Sequence, residues 1–383
     1  MSASIVVLGG GVGGVVAAVE TKKNLGDRAR VILIERKKNF QFPPSFPWLV
    51  TGFREPSQVQ RPLESLRSKG IEVREAEVNG LDVRARVVHT SAGSVPFDQL
   101  IIALGAEYDT ELVPGYSHWA HHMYDLDSAV RMGEAVRSFW GGKILIGIAR
   151  LPFKCPAAPY EMAFLLDDLY RRRGMRDRVE LDLFSPEGNP LPAAGPENGS
   201  RVAEMLRERA VSYHPKRKVR EIGERTVWFE EGDSIAFDLL ICIPPHRAPK
   251  VVVEAGLTDG SGWVPVDPHT LRTKEPGIYA VGDITVVPTP HGYVPTLPKA
   301  GVFAHGQAKV VAHNISAEVR GRLHPETWDG EGACFLEVSR GKSAFLKGNF
   351  LAEPHPDLNF RPPSGVYHMQ KILFERYWMH HWF

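Results

Sequence analysis

ASIVVLGGGVGGVVAAVE, residues 3–20, decides the fold. Residues 5–8 form a short continuous apolar run of the kind found in a buried strand, and residues 15–19 open an apolar helix that continues through 21–24. A second apolar run, residues 31–34, ends in Glu35. Strand, glycine turn, helix and strand make a βαβ unit, which predicts a parallel sheet. Gly9, Gly11 and Gly14 satisfy G-x-G-x-x-G between that strand and that helix. Glycine there permits the tight turn and lets backbone N–H groups approach a pyrophosphate at the positive end of the helix. Glu35 then stands where a carboxylate accepts a ribose hydroxyl.

Working outward, a second unit of the same kind starts at Lys143. ILIGI (144–148) reads as a buried strand, 160–173 as a helix and 179–184 as the next strand. The fold class expected is α/β: two Rossmann-like doubly wound domains and a small C-terminal α+β segment. The boundaries expected are 1–110 with 250–325 for the first domain, 111–249 for the second and 326–383 for the last. The chain of 383 residues has room for these. With 46 Lys and Arg against 45 Asp and Glu, its net charge of +1 does not recommend nucleic acid as a partner. Three cysteines do not make a secreted disulfide framework.

Two further stretches complete a pattern. LIIALG (100–105) ends a strand in small residues, and GIYAVGD (277–283) ends another in an acid. With the glycine loop, they resemble the motifs of the two-dinucleotide-binding-domain flavoproteins. That resemblance implies FAD, with Asp283 on the ribityl chain. The second unit departs from it. GIARLPFKCP (147–156) stands where an NADH-binding relative carries a second glycine fingerprint. Prolines lack the N–H donors that cradle phosphate, so electrons are expected to enter by sulfur chemistry at Cys155.

CPAAPYE (155–161), FQFPPSFPWLVTG (40–52), TLPKAGVFAHGQA (296–308), Cys334-Phe335 and FERYW (374–378) closely resemble the sulfide:quinone oxidoreductases. The flavin subunit of flavocytochrome c sulfide dehydrogenase is a close relative. The resemblance implies that Cys155 and Cys334 are a redox pair beside the flavin, and that Glu161 moves protons near the sulfur. Sulfide would attack their disulfide, or a sulfur bridge between them, breaking an S–S bond and leaving a persulfide on one cysteine and a thiolate on the other. That chemistry requires surroundings that favour the thiolate. The cofactor-binding residues implied are Gly9, Gly11, Gly14, Glu35, Val78, Gly105, Gly282, Asp283 and Lys299, the last as a positive charge for reduced flavin. Phe335 and Tyr377 would sandwich a quinone, ubiquinone or menaquinone. No metal site is expected. Cys242, in the apolar run 239–243, reads as structural. The family's third cysteine, near 121–125, and a family histidine within 185–195 are missing. No cysteine stands where relatives tether FAD, so noncovalent FAD is expected.

Residues 366–383, VYHMQKILFERYWMHHWF, carry apolar residues nearly all round a helical projection. Five of the last ten are aromatic and are expected to hold the chain to a membrane surface without spanning it. No signal peptide and no transmembrane helix are evident, so a peripheral, monotopic protein on the cytoplasmic face is expected, with a homo-oligomer left open. Alternatives are a flavocytochrome-type sulfide dehydrogenase subunit, a type II NADH:quinone oxidoreductase, and a flavin-binding redox sensor.

Overall fold

The structure is a computed structural model that describes residues 2–322 and 325–383. The expected boundary at 325 borders residues 323–324, which lie outside the described residues.

Ala3–Leu8 is the middle strand of a five-stranded parallel sheet. Its neighbours are Gln99–Ile102, flanked by Ile278–Ala280, and Ala29–Glu35, flanked by Glu72–Glu75. Residues 5–8 have no exposed surface. A strand covered on both faces reads as an unbroken apolar run, because βαβ crossovers lay helices over both sides of a parallel sheet. The helix Val12–Leu25 follows at once and packs along Gly301–Val319, the helix of the chain's return to this domain. Their approach is close enough that a Cβ on Gly13 would lie 3.5 Å from that of Ala304.

The second sheet is also parallel, in the order Ala120–His121, Leu239–Ile243, Gly142–Ile148, Val179–Phe184, Val211–His214. The fold is thus α/β with two doubly wound sheets. Cys242 is fully buried in its strand. The helix Ala158–Arg172 covers the second sheet.

Three antiparallel strands, Glu331–Ser339, Lys342–Asn349 and Asp357–Ser364, precede the C-terminal helix Gly365–His381. Glu331–Ser339 lies on Ala158–Arg172, and this contact carries Cys334 to the second domain.

The C-terminal helix corrects the expectation of five rings facing outward. Trp378 and Trp382 are buried in the core of the first domain, and Phe383 packs against it. Trp378 stacks on Phe40 at 4.5 Å between ring centroids. The exposed stripe is Val366, Met369, Leu373, Phe374 and Tyr377. On the other face His368, Lys371 and Glu375 are buried. Between Val366 and Tyr377 the helix turns its buried ion pairs toward the protein and an apolar stripe toward solvent, and its last turn buries Trp378 and Trp382. Among the described residues no helix is long and apolar enough to cross a membrane.

Candidate active site

The glycine loop separates into two physical roles. A Cβ on Gly14 would sit 1.8 Å from the Gly9 carbonyl oxygen, and one on Gly9 would meet that of Ala103, so these two glycines let strand, turn and helix touch. A Cβ on Gly11 or Gly105 would meet nothing within 4 Å. Their open sides form a cradle at the N-terminus of Val12–Leu25, where unpaired N–H groups attract an anion. Glu35 accepts from the Gly10 N–H at 2.7 Å and the Lys37 N–H at 3.0 Å, which fixes its carboxylate beside the loop. Val78 opens the strand Val78–Asp82 and packs against the first core.

Gly282 and Asp283 follow the strand Ile278–Ala280. The Gly282 N–H donates to Gln307 Oε1 at 2.8 Å. Asp283 Oδ1 is buried without a partner. Burial raises this carboxyl's pKa, against the pull of Lys154 and Lys299. An orphaned buried carboxylate oxygen asks for a donor, and a ribityl hydroxyl supplies one. The open glycine cradle, Glu35 and Asp283 therefore fit FAD.

Lys299 takes a different posture from the one expected. Its ammonium donates to the carbonyls of Asp283 at 2.8 Å and Thr285 at 3.0 Å, and lies 3.4 Å from the Trp263 ring centroid. Burial lowers its pKa to about 7, opposed by Asp283. The firmer cation is Lys154, which the sequence reading passed over. Burial works to discharge it, but Tyr108 and Asp283 outweigh burial and hold its pKa above the ordinary lysine value. It donates to the Tyr108 hydroxyl at 2.7 Å.

Cys155 follows Lys154 directly. Its φ of +55° lies in the left-handed region, which costs a non-glycine residue about 1–2 kcal/mol. The surroundings enforce it: the Cys155 N–H donates to the Lys299 carbonyl at 2.7 Å, and its own carbonyl accepts from Ala158 N–H at 2.9 Å at the start of Ala158–Arg172. The thiol is thus presented at the seam between the two domains. Cys334 reaches the same seam from its strand, and both are free, partly buried thiols. Burial pushes both thiols up, Cys334 to about 11; the proximity of Cys334 and Glu161 adds to the rise at Cys155. Burial therefore works against the thiolate-favouring surroundings that the sulfur chemistry requires.

The segment around Cys155 differs from the first glycine loop in its backbone donors, with prolines at 152 and 156 in place of glycines. In the strand before it, a Cβ on Gly147 would lie 1.9 Å from the Phe184 ring, so that glycine serves strand packing. Arg150 turns away to Glu230 at 3.1 Å.

Glu161 is buried and accepts from Lys371 Nζ at 2.7 Å. Lys371 also lies 3.9 Å from Glu337, which contacts His368 Nδ1 at 3.0 Å. Beside this chain Phe335 faces Phe345 and Phe374, with centroids 5.0 and 6.4 Å away. Tyr377 instead stacks on His381 at 4.8 Å and is mostly exposed. The ring that the helix places near Phe335 is Phe374, three residues earlier. Lys371, Glu337, His368 and Phe374 escaped the sequence reading. Projecting the polar residues of 366–383, instead of the apolar ones, finds 368, 371 and 375 on one face. No cluster of potential metal ligands occurs among the described residues.

Two nucleotide-type sheets, a fitted FAD cradle and a pair of cysteines at their seam define a flavoprotein oxidoreductase. The chain belongs to the pyridine nucleotide-disulphide oxidoreductase family, whose profile matches residues 3–146 and 162–308. The gap between the matched segments holds the proline-rich loop and Cys155. Within that family the chain is similar to the sulfide-quinone reductase of Aquifex aeolicus, 26% identical over 99% of this chain and 91% of the relative. It is similar also to the mouse mitochondrial sulfide:quinone oxidoreductase, 24% identical over 91% of this chain and 79% of the relative. The solved structure of the Aquifex aeolicus sulfide:quinone oxidoreductase superposes with a TM-score of 0.90 at 23% identity, covering 98% and 90% of the two chains.

Proposed function

We propose that the chain oxidises sulfide to polysulfide or zero-valent sulfur and reduces a membrane quinone, with Cys155, Cys334 and noncovalent FAD carrying the electrons. The observation that carries this reading is the meeting of Cys155, Cys334 and Glu161 at the seam beside Asp283. When bound, FAD stores two electrons between a sulfur donor and a quinone acceptor. Gly9, Gly11, Gly14, Glu35 and Asp283 hold it, and Lys154 supplies positive charge nearby. Cys155 and Cys334 take up the sulfur, and Glu161 accepts the proton released there. Phe335 and Phe374 flank the acceptor, in place of the Phe335 and Tyr377 pair first expected.

The exposed stripe from Val366 to Tyr377 rests on a bilayer surface in this reading. An apolar helix face turned to water is unfavourable unless covered, and a membrane interface covers it. The NADH alternative is disfavoured by the prolines that stand where a second glycine loop would be needed.

The test mixes purified yellow protein with sulfide or with NADH, then with a ubiquinone analogue. Bleaching by sulfide and recovery with quinone is expected. Bleaching by NADH alone transfers the chain to the NADH-oxidising class. Acid precipitation is expected to release the colour, and its retention on the protein overturns noncovalent binding.

A further inference from the structure

A four-residue chain of ionisable groups runs inward from the C-terminal helix and ends beside the redox cysteines. His368 Nδ1 lies 3.1 and 3.0 Å from the two Glu337 oxygens. Glu337 has no exposed surface. Lys371 Nζ is 3.9 Å from Glu337 and 2.7 Å from Glu161. His368, at 8% exposure, is the outermost member. Aromatic rings border its outer part. Trp48 and Phe53 lie 5.9 and 5.6 Å from the His368 ring, and Lys371 Nζ lies 4.6 Å from the Trp48 centroid.

Charges buried at this density need a reason. Replacing a buried ion pair by well-packed apolar residues is often neutral or stabilising. One function accounts for His368, Glu337 and Lys371. Reduction of a quinone takes up two electrons and two protons, Q + 2e⁻ + 2H⁺ → QH2. Sulfide oxidation releases the same number, H2S → S⁰ + 2e⁻ + 2H⁺. A buried acceptor therefore needs a proton route as much as an electron route.

We propose that Glu337 and His368 are the proton inlet of the acceptor half-reaction: His368 exchanges with water, Glu337 passes the proton to Lys371, and Lys371 delivers it beside Phe335 and Phe374. The contact from Lys371 to Glu337 is an ion pair that a small side-chain movement closes to a hydrogen bond. The groups facing Glu337 are Lys371 and His368 from the C-terminal helix and Glu161 from Ala158–Arg172. Arg54, itself held by Glu375 at 2.7 Å, faces it from the loop after Phe46–Val50, and Cys334 shares its strand. Burial raises the Glu337 carboxyl to about 7, against Lys371 and Arg54, so it can load and unload a proton near neutrality. Burial works to lower the Lys371 ammonium, yet Glu161 and Glu337 hold it above the ordinary lysine value. It is charged when the acceptor arrives and is refilled by Glu337. Glu337 and His368 are relay residues and touch neither sulfur nor flavin.

The inference rests on the proposed sulfide-to-quinone reading, and the test separates the two. Wild-type holoenzyme, Glu337→Gln and His368→Gln are reduced with sulfide in one stopped-flow experiment and reoxidised with a ubiquinone analogue in another. Both variants should keep sulfide bleaching near the wild-type rate and lose about 100-fold in reoxidation, the lower range for a lost proton-transfer group. Imidazole should restore reoxidation to His368→Ala. A second readout does not use turnover. Glu337 binds its proton more tightly folded than unfolded, so wild-type stability should fall as pH rises from the ordinary glutamate range through about 7. In Glu337→Gln that slope should shrink by the contribution of one proton, with other buried groups such as Glu187 retaining theirs. Variants that reoxidise at the wild-type rate with an unchanged pH profile overturn the inference. So do variants that lose both half-reactions equally, or a His368→Ala that imidazole leaves unchanged. Wild-type protein that sulfide fails to bleach overturns the reading beneath it, and the relay with it.

Discussion

Lys371, in the C-terminal helix, donates to Glu161, on the helix that begins after Cys155, at 2.7 Å with both side chains buried. The pair joins elements 210 residues apart. Removing one partner leaves the other charged in a low-dielectric site, so Lys371→Met should destabilise the protein by about 3–5 kcal/mol. Adding Glu161→Gln should recover much of that loss. Denaturant unfolding of the two single variants and the double variant measures the coupling.

The glycine loop offers a discriminating pair. Gly14→Ala drives a methyl group into the Gly9 carbonyl, so it should fail to fold or lose its cooperative melt. Gly11→Ala meets no atom within 4 Å. It should keep its circular dichroism and melting temperature but retain less FAD on gel filtration, read from the flavin absorbance.

Thiol reactivity carries a sign. Burial holds the Cys334 pKa at about 11, so its thiolate is scarce at neutral pH. In FAD-free protein its alkylation should rise about tenfold per pH unit between pH ~8 and ~10, as thiolate fraction dictates. Mass spectrometry of the labelled peptide follows this. A rate already at its plateau near pH ~8 contradicts the burial argument.

The outward stripe of the C-terminal helix can be altered without touching the buried chain. Leu373→Glu and Val366→Glu should weaken binding to phospholipid vesicles by about tenfold or more each, since a buried aliphatic side chain contributes about 1.5–3 kcal/mol. Melting temperature should be unchanged, and flotation assays report the partition. Reoxidation by a water-soluble quinone analogue should persist.

Much of this architecture was legible in residues 3–35, because an apolar run, a glycine turn and an apolar helix have few ways to pack. The strand beginning at Gly142 was legible for the same reason. Cys334 was found through its resemblance to a family. Its arrival at the seam depends on Glu331–Ser339 lying across Ala158–Arg172, a contact that no local pattern announces. The C-terminal helix was misread because its apolar residues were projected alone. Trp378 and Trp382 looked equivalent to Phe374 and Tyr377, and only the buried ion pairs of Lys371 and Glu375 tell the two faces apart. Lys154 went unnoticed because a single lysine before a cysteine carries no periodic signal. The groups that keep it charged, Tyr108 and Asp283, are remote in the chain.

The apolar stripe of the C-terminal helix gives the molecule a face for lipid. If its apolar face meets lipid, the molecule has a fixed up and down. An oil-soluble oxidant then arrives through the floor, while a small water-soluble reductant arrives from the aqueous side. The two reagents, which would react with each other if mixed, need never share a compartment. A single helix with an apolar stripe turned outward would thus act as the partition that makes the electron path the only route between them.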